Sequence, residues 1–354
     1  MTLATLLGIE LPLLQAPMAG VQGSALALAV SNAGGLGALP CAMLSPERIR
    51  EEVDAIRAQT AAPFNLNFFC HAPPERDHAR ESAWLESIAP DYRSHGIPLP
   101  ASLDPGARRP FDADTLALLQ ALRPPVVSFH FGLPEPDLLA ALREWNCRVL
   151  SSATTLAEGR WLQERGVDAV IAQGWEAGGH RAVFLGEPLD QQPGTFALVP
   201  QLVAALDVPV IASGGIADAA GVAAAMALGA AGVQIGTSYL LCPEAATIAA
   251  HRALLGQRPS PPTAVTNVLT GRPARGFLNH AMRRWGPLNE RAPAFPIAAS
   301  AMAPLRKVAE AQGRGDYSPL WAGQNASGCR AIPAAQMTWE LARGFGPTEP
   351  PCLV

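Results

Sequence analysis

Eight short apolar runs, separated by longer amphipathic stretches, constrain this chain more than any other feature. They are LLQAPM (13–18), LGALPC (36–41), FNLNFFC (64–70), VVSFHF (126–131), CRVLSSA (147–153), AVIAQG (169–174), VPVIASG (208–214) and GVQIGT (232–237). Each is nearly free of charge, as a parallel strand covered on both faces should be; a strand with one wet face would alternate. The stretches between them carry helix signals. Residues 45–60 open with Ser45 as N-cap, Pro46 at the first helical position and Glu47 in the first turn. Residues 112–123 and 154–166 also read as helices, the second stopping at Gly166. Strand–helix alternation on this scale predicts right-handed crossovers and a parallel sheet. Eight strands suit closure into a (β/α)₈ TIM barrel, an α/β fold, better than an open doubly wound sheet.

Two regions break the rhythm. Residues 71–110 form an excursion rich in proline and charge, and 241–295 carry Pro243, Pro259, Pro261, Pro262, Pro273, Pro287 and Pro293. The expected organisation is a barrel over 1–240, a small appended domain over 241–295, and a C-terminal segment, 296–354, returning to the barrel. No fixed-period repeat occurs beyond the strand–helix rhythm.

The 354 residues are 49% apolar, ample for such a core, and the net charge is −4. Basic residues are scattered apart from pairs such as Arg108-Arg109 and Arg283-Arg284, without the clustered field that nucleic acid requires. Cys41, Cys70, Cys147, Cys242, Cys329 and Cys352 lie far apart with no C-x-x-C pair, giving neither a metal site nor a disulfide framework and fitting reduced thiols. No basic segment precedes Leu6-Leu7, and the Ala-rich run 221–233 is too short and Gly-interrupted to span a bilayer. A cytoplasmic monomer or homodimer is expected, with small-molecule partners and neither membrane nor nucleic acid.

In barrels, chemistry gathers at the C-terminal strand ends, and phosphate often binds after the seventh and eighth strands. Here the seventh run ends in Ser213-Gly214-Gly215 and leads through Ile216-Ala217-Asp218 into a helix; the eighth ends in Gln234-Ile235-Gly236-Thr237. Glycines admit main-chain N–H groups close to a phosphate, a helix N-terminus adds its dipole, and Thr237 adds a hydroxyl. Glycine pairs also make plain turns; their recurrence on consecutive strand ends favours phosphate, leaving FMN, a nucleotide and a sugar phosphate open. After the sixth run, Gln173 can offer donor and acceptor to a flat heterocycle. Gly178-Gly179 then bring the chain close to a ligand and set His180 on a loop, where imidazole can give or take a proton. Asn67, on the same strand face as Asn65, presents a carboxamide to a ring system. Ala16-Pro17-Met18 suit a backbone wall against a planar group. His130 reads as a core or a pocket histidine, His71 directly follows the third run, and His78, His95, His251 and His280 read as surface. No H-E-x-x-H spacing suggests a metal. AGGLGAL (33–39) precedes a strand instead of following one, so a Rossmann site is not supported, and no P-loop occurs.

Taken in order, QAPMAGV (15–21), SNAGGLG (31–37), PFNLNFFCH (63–71), VSFHFGLP (127–134), AQGWEAGGH (172–180), ASGGIAD (212–218), VQIGTSYLLCPE (233–244), TGRPARG (270–276) and LWAGQ (320–324) resemble class I nitronate monooxygenases, formerly called 2-nitropropane dioxygenases. The resemblance implies FMN held non-covalently at the barrel mouth, with Asn67, Gln173, Gly178, Gly215 and the run Gln234 to Thr237 matching the family's FMN contacts. It implies that His180 is the catalytic histidine. It also implies detoxifying oxidation of alkyl nitronates, notably propionate 3-nitronate, by O₂ to a carbonyl compound and nitrite or nitrate. His180 would stabilise nitronate charge, or take the α-proton of a neutral nitroalkane. Tyrosines that some relatives carry around 296–307 are absent here, where Ala298, Ala299 and Ala303 stand, so pocket shape and substrate size stay open. Lys307 in that segment reads either as a pocket cation or as a solvated helix residue. Flavin-dependent enoyl-acyl-carrier-protein reductases and NADH:quinone reductases share the E-A-G-G-H stretch, which makes NAD(P)H oxidation the alternative; NFFCH, VSFHFG and LWAGQ fit the monooxygenase better. A flavin-free aldolase or isomerase would want a buried lysine or paired carboxylates at strand ends, and none has either.

Overall fold

The eight runs become β1 (Leu13–Gln15), β2 (Gly37–Pro40), β3 (Phe64–Phe69), β4 (Val126–His130), β5 (Arg148–Ala153), β6 (Ala169–Gln173) and, after a two-residue β7 (Gly179–His180), β8 (Val210–Ser213) and β9 (Gly232–Ile235). Apart from β7 they pair in the order β1-β9-β8-β6-β5-β4-β3-β2, all parallel. A bridge between Leu14 and Leu36 brings the two ends together, and helices fill the crossovers, making a TIM barrel. The computed structural model describes residues 1–104, 108–186 and 188–346; Cys352, the end of the 296–354 segment and 105–107 of the excursion lie outside the described residues. Among the described residues no helix is long and apolar enough to cross a membrane.

The strands are shorter than the apolar runs for local reasons. Pro17 has no N–H to continue the ladder beyond Ala16, whose N–H still donates to the Ile235 carbonyl at 2.8 Å. Phe131 takes φ 71 and turns the fourth run one residue early. Gly236 opens the 3₁₀ turn Thr237–Leu241. At the seam between β1 and β2 a side chain stands in for a main-chain rung. Gln15 Oε1 accepts from Ala38 N–H at 3.1 Å, and Gln15 Nε2 donates to Gln22 Oε1 at 2.7 Å. Gln22 Nε2 donates in turn to the Ala38 carbonyl.

The helix signals hold where they are strongest. Ser45 Oγ accepts from Arg48 N–H at 3.2 Å to start the helix Pro46–Arg57, and Asp112 accepts from Thr115 N–H at 2.8 Å to start Ala113–Leu122. Alternation along the strands divides the core. Outward residues such as Val127, Val149, Val170 and Ala212 pack under the helices. Inward residues Leu14, Val126, Leu150, Ile171 and Ile211 fill the barrel's lower half, where the helix Leu3–Leu7 plugs its N-terminal end with Leu3 and Leu7.

The regions outside the rhythm pack together. The excursion contains the helix His78–Ser94, whose Trp84, Ile88 and Tyr92 share an apolar cluster with Val268, Met282, Ile297, Leu305 and Tyr317. β10 (Thr263–Thr266) and β11 (Ala274–Phe277) are antiparallel, and β11 pairs with β7 through Ala274↔His180 and Arg275↔Gly179. The excursion and the post-barrel residues therefore sit over the barrel mouth, bonded to the loop that follows β6.

Candidate active site

Where the inward layer reaches the C-terminal ends of the strands, it changes from aliphatic to polar. Asn67, Ser128, Ser152, Gln173, Ser213 and Gln234 line a cavity of about 1640 Å³, its open mouth included, roofed by the excursion and the post-barrel segment.

One end of the cavity is main chain. Gly214 and Gly215 take φ 119 and 73, conformations that side chains resist, and Gly236 and Thr237 stand beside them on the next strand end. Thr237 Oγ1 already accepts from Gly323 N–H at 3.0 Å, so its proton is the group left to donate. Along the wall, Gln234 Oε1 is buried without any partner, an acceptor awaiting a ligand donor. Asn67 Nδ2 is taken by Ser128, 2.9 Å from its hydroxyl and 3.2 Å from its carbonyl, which leaves Oδ1 for the cavity. A Cβ at Gly179 would enter open space. Positive-φ glycines, an orphaned acceptor and an open glycine suit a planar ring carrying an anionic group.

The other end is built around His180. Its carbonyl accepts from His130 Nε2 at 3.1 Å and from Gln173 Nε2 at 2.9 Å, and Gln173 Oε1 accepts from Ala182 N–H at 2.9 Å. Gln173 thus spends most of its hydrogen bonding on the loop instead of on a heterocycle. Arg181, fully buried, donates to the carbonyls of Gly174 and Gln173 at 2.6 and 2.9 Å and to Gln192 Oε1 at 2.8 Å. The His180 ring lies between Phe295 and Trp321, each with centroids 5.5 Å away, and its Nε2 is 2.9 Å from Thr270 Oγ1. Thr270 Oγ1 is 3.3 Å from the Arg272 carbonyl, which can only accept. A hydroxyl donating there receives Nε2–H and leaves Nδ1 as the ring's lone pair.

Burial pushes the His180 pKa well below the ordinary imidazole value, and Arg108, His130, Arg272 and His71 push the same way. His130 and His71 are lowered to about 4, chiefly by burial. All are neutral at pH 7. No carboxylate acts on His180 among the described residues, so this end of the cavity is cationic within a chain of net charge −4.

The structure brings most of the predicted residues to one cavity: Ala16, Pro17 and Met18, Asn67, Gln173, Gly178 and Gly179, His130 and His180, Gly214 and Gly215, and the run Gln234, Ile235, Gly236 and Thr237. Lys307 is not among them. The chain's only lysine, it is exposed on the helix Ile297–Ala311, and its neighbour Arg306 lines the cavity instead. His251, read as surface, is 2% exposed and lines the cavity with Nε2 unpartnered. His95 is half-buried, while His78 and His280 are exposed. Ser128 and Ser152 were missed although strand period marks them: Ser128 shares a face with His130, and Ser152 with Leu150. Arg108, Thr270, Arg306 and Trp321 carried no such signal, because they reach the cavity from outside the barrel.

The nitronate monooxygenase family profile matches residues 1–344. A nitronate monooxygenase from Paraburkholderia phytofirmans is 44% identical over 345 residues, 96% of this chain and 94% of that protein. One from Pseudomonas aeruginosa is 43% identical over 94% of this chain and 95% of that protein. Among solved structures, nitroalkane oxidase from Streptomyces ansochromogenes superposes with a TM-score of 0.88 at 36% identity, covering 97% of this chain and 98% of that one. FabK from Thermotoga maritima gives 0.73 at 28% identity, covering 98% and 96%.

Proposed function

The chain belongs to the nitronate monooxygenase family, and from that premise we propose that it oxidises alkyl nitronates with O₂, using FMN, to a carbonyl compound and nitrite or nitrate. The observation that carries this reading is one cavity lined by His180, Arg108 and Arg306 together with the positive-φ glycines Gly214 and Gly215. Gly214, Gly215, Gly236 and Thr237 would hold the cofactor's phosphate. Asn67 Oδ1 and Gln234 Oε1 would accept from its ring, with Ala16 to Met18 as the backing wall. The redox chemistry, electrons taken from the nitronate and passed to O₂, is what a flavin supplies when bound.

The chain's own residues select and orient the substrate. A nitronate is an anion without a proton to remove, so it needs positive potential and a hydrogen-bond donor more than a base. An anion arriving beside His180 offsets the repulsion of Arg108 and Arg272 and raises the ring's proton affinity. The imidazole, taking up a proton from solvent as the anion binds, then holds it at Nδ1 and donates a hydrogen bond to a nitro oxygen. With a neutral nitroalkane the same lone pair would accept the α-proton. Phe69, Phe295 and Trp321 keep bulk water from the ring and strengthen both interactions.

Anaerobic mixing of the flavin-loaded protein with propionate 3-nitronate should bleach the flavin absorbance, and admitting air should consume O₂ with release of nitrite. A flavin untouched by nitronate but bleached rapidly by NADH or NADPH would favour the alternative reductase reading. His180→Asn should keep its flavin and lose roughly 10²–10⁴-fold in turnover; an unchanged rate rules His180 out of the chemistry.

A further inference from the structure

The ring of His180 is held by a residue from outside the barrel. Thr270 lies on the connection between β10 and β11, is 3% exposed and lines the cavity. Its Oγ1 sits between two partners, 2.9 Å from His180 Nε2 and 3.3 Å from the Arg272 carbonyl. The connection is pinned beside it. Gly271 takes φ 92, and a Cβ there would lie 2.4 Å from the Pro293 carbonyl oxygen and 2.5 Å from Phe295 nitrogen. The Gly271 N–H donates to the Asn267 carbonyl at 2.7 Å. The pairing of Ala274 with His180 ties the histidine's own main chain to the same hairpin. Ring and hydroxyl are thus placed by one element.

A hydroxyl has a single proton to give. While Thr270 donates to the Arg272 carbonyl, it can only accept from His180, so the neutral ring carries its proton on Nε2. Nδ1, with no hydrogen-bond partner among the described residues, keeps the lone pair. A nitronate offers only acceptor oxygens and would meet that lone pair with its own. Binding it through this ring therefore takes a second proton. Every charged or titratable group that acts on the ring opposes one: Arg108 from the excursion, Arg272 from the hairpin, His130 at the end of β4 and His71 after β3, with no carboxylate to balance them among the described residues. The second proton has to arrive with the anion.

We propose that Thr270 is a positioning residue: it keeps the proton of neutral His180 on Nε2 and so couples the binding of each nitronate to the uptake of one proton from solvent onto Nδ1. The proposal rests on the nitronate reading above and assigns its proton balance to one side chain that need not touch substrate.

The test compares wild type with Thr270→Val, which keeps the branched shape without the hydroxyl, and Thr270→Ser, which keeps the hydroxyl; flavin content and Tm are measured for each. In Thr270→Val a proton on Nε2 would be buried without an acceptor, so the neutral ring moves it to Nδ1 and can donate to a nitronate with no uptake. Initial kcat/KM for ethyl nitronate should fall about tenfold per pH unit between pH 6.5 and 8.5 in wild type and Thr270→Ser, and stay level in Thr270→Val. A role in packing alone would lower the rate of Thr270→Val equally at every pH, and parallel profiles overturn the proposal. Apart from turnover, long-range proton–nitrogen NMR of the histidine rings at pH 7.5, with the His180 signal identified by its loss in His180→Asn, should find the ring proton on Nε2 in wild type and on Nδ1 in Thr270→Val. A wild-type proton on Nδ1 overturns the proposal even if Thr270→Val does not fold. If ethyl nitronate is not oxidised at any pH but the ring proton moves as stated, the nitronate reading fails and the placing of the proton by Thr270 stands.

Discussion

Gly178 and Gly179 are adjacent, and each is glycine for its own reason. A Cβ at Gly178 would lie 2.6 Å from the Ala322 carbonyl carbon and the Gly323 nitrogen, backbone atoms that cannot swing aside. Gly179 has space around it but takes φ 76, which side chains resist. Gly178→Ala should therefore destabilise the fold by about 1–3 kcal/mol through overpacking, seen as a lower midpoint in urea. An unchanged midpoint would mean that the Trp321–Asn325 segment yields. Both glycines and His180 were legible because a contiguous stretch carries them at a predictable strand end. Lys307 was misplaced for the converse reason: on a helix outside the barrel, one position decides between cavity and solvent, and the sequence there holds Arg306 and Lys307 side by side. Arg108 sits in a proline-rich excursion that has no period from which to tell inside from outside.

At the scale of elements, the loop bearing His180 is held by a carboxylate from another crossover. Glu158, fully buried at the start of the helix Leu156–Glu164, accepts from Thr154 N–H at 2.6 Å and Thr154 Oγ1 at 2.7 Å with one oxygen. Its other oxygen accepts from Phe184 N–H at 2.7 Å, so one side chain ties the end of β5 to the loop after β7. Glu158→Gln keeps the shape but replaces acceptor oxygen with a donor facing N–H groups. It should cost about 2–4 kcal/mol in stability and lower turnover, with propionate 3-nitronate binding weakened as the His180 loop loosens. Undiminished stability by thermal denaturation would show the loop to be held by Arg181 and Gln173 alone. Strands and caps were readable since their causes are local: a buried parallel strand must be apolar throughout, and Ser45 or Asp112 needs only its own helix. The pairing of β7 with β11 and the cluster joining Trp84 to Tyr317 bring together residues far apart in the chain, and no periodicity reports such a contact.

The chain carries a net charge of −4 while Arg108 and Arg306 line its cavity, and its buried histidines set its response to pH. Burial lowers His71, His130 and His251 to about 4 each, against the ordinary value of 6.5. Between those values the unfolded chain binds protons that the folded chain refuses, so stability is present above pH 6.5 and lost on acidification. Each group contributes at most about 1.4 kcal/mol per pH unit in that window. Tm should fall steadily from pH 7 to pH 5, and His251→Gln should flatten the slope; a Tm that holds or rises over that range would contradict the burial of these rings. The composition gave the sign of the outer charge but not that of the interior, because a net count says nothing about which arginines the fold turns inward.

The lone lysine has a practical outcome. Amine-directed reagents meet one side-chain nitrogen in the entire chain, on the solvent side of the helix whose Arg306 edges the entrance. Coupled to an ester-activated bead through that nitrogen, every copy would hang by the lip of its own doorway and face the matrix.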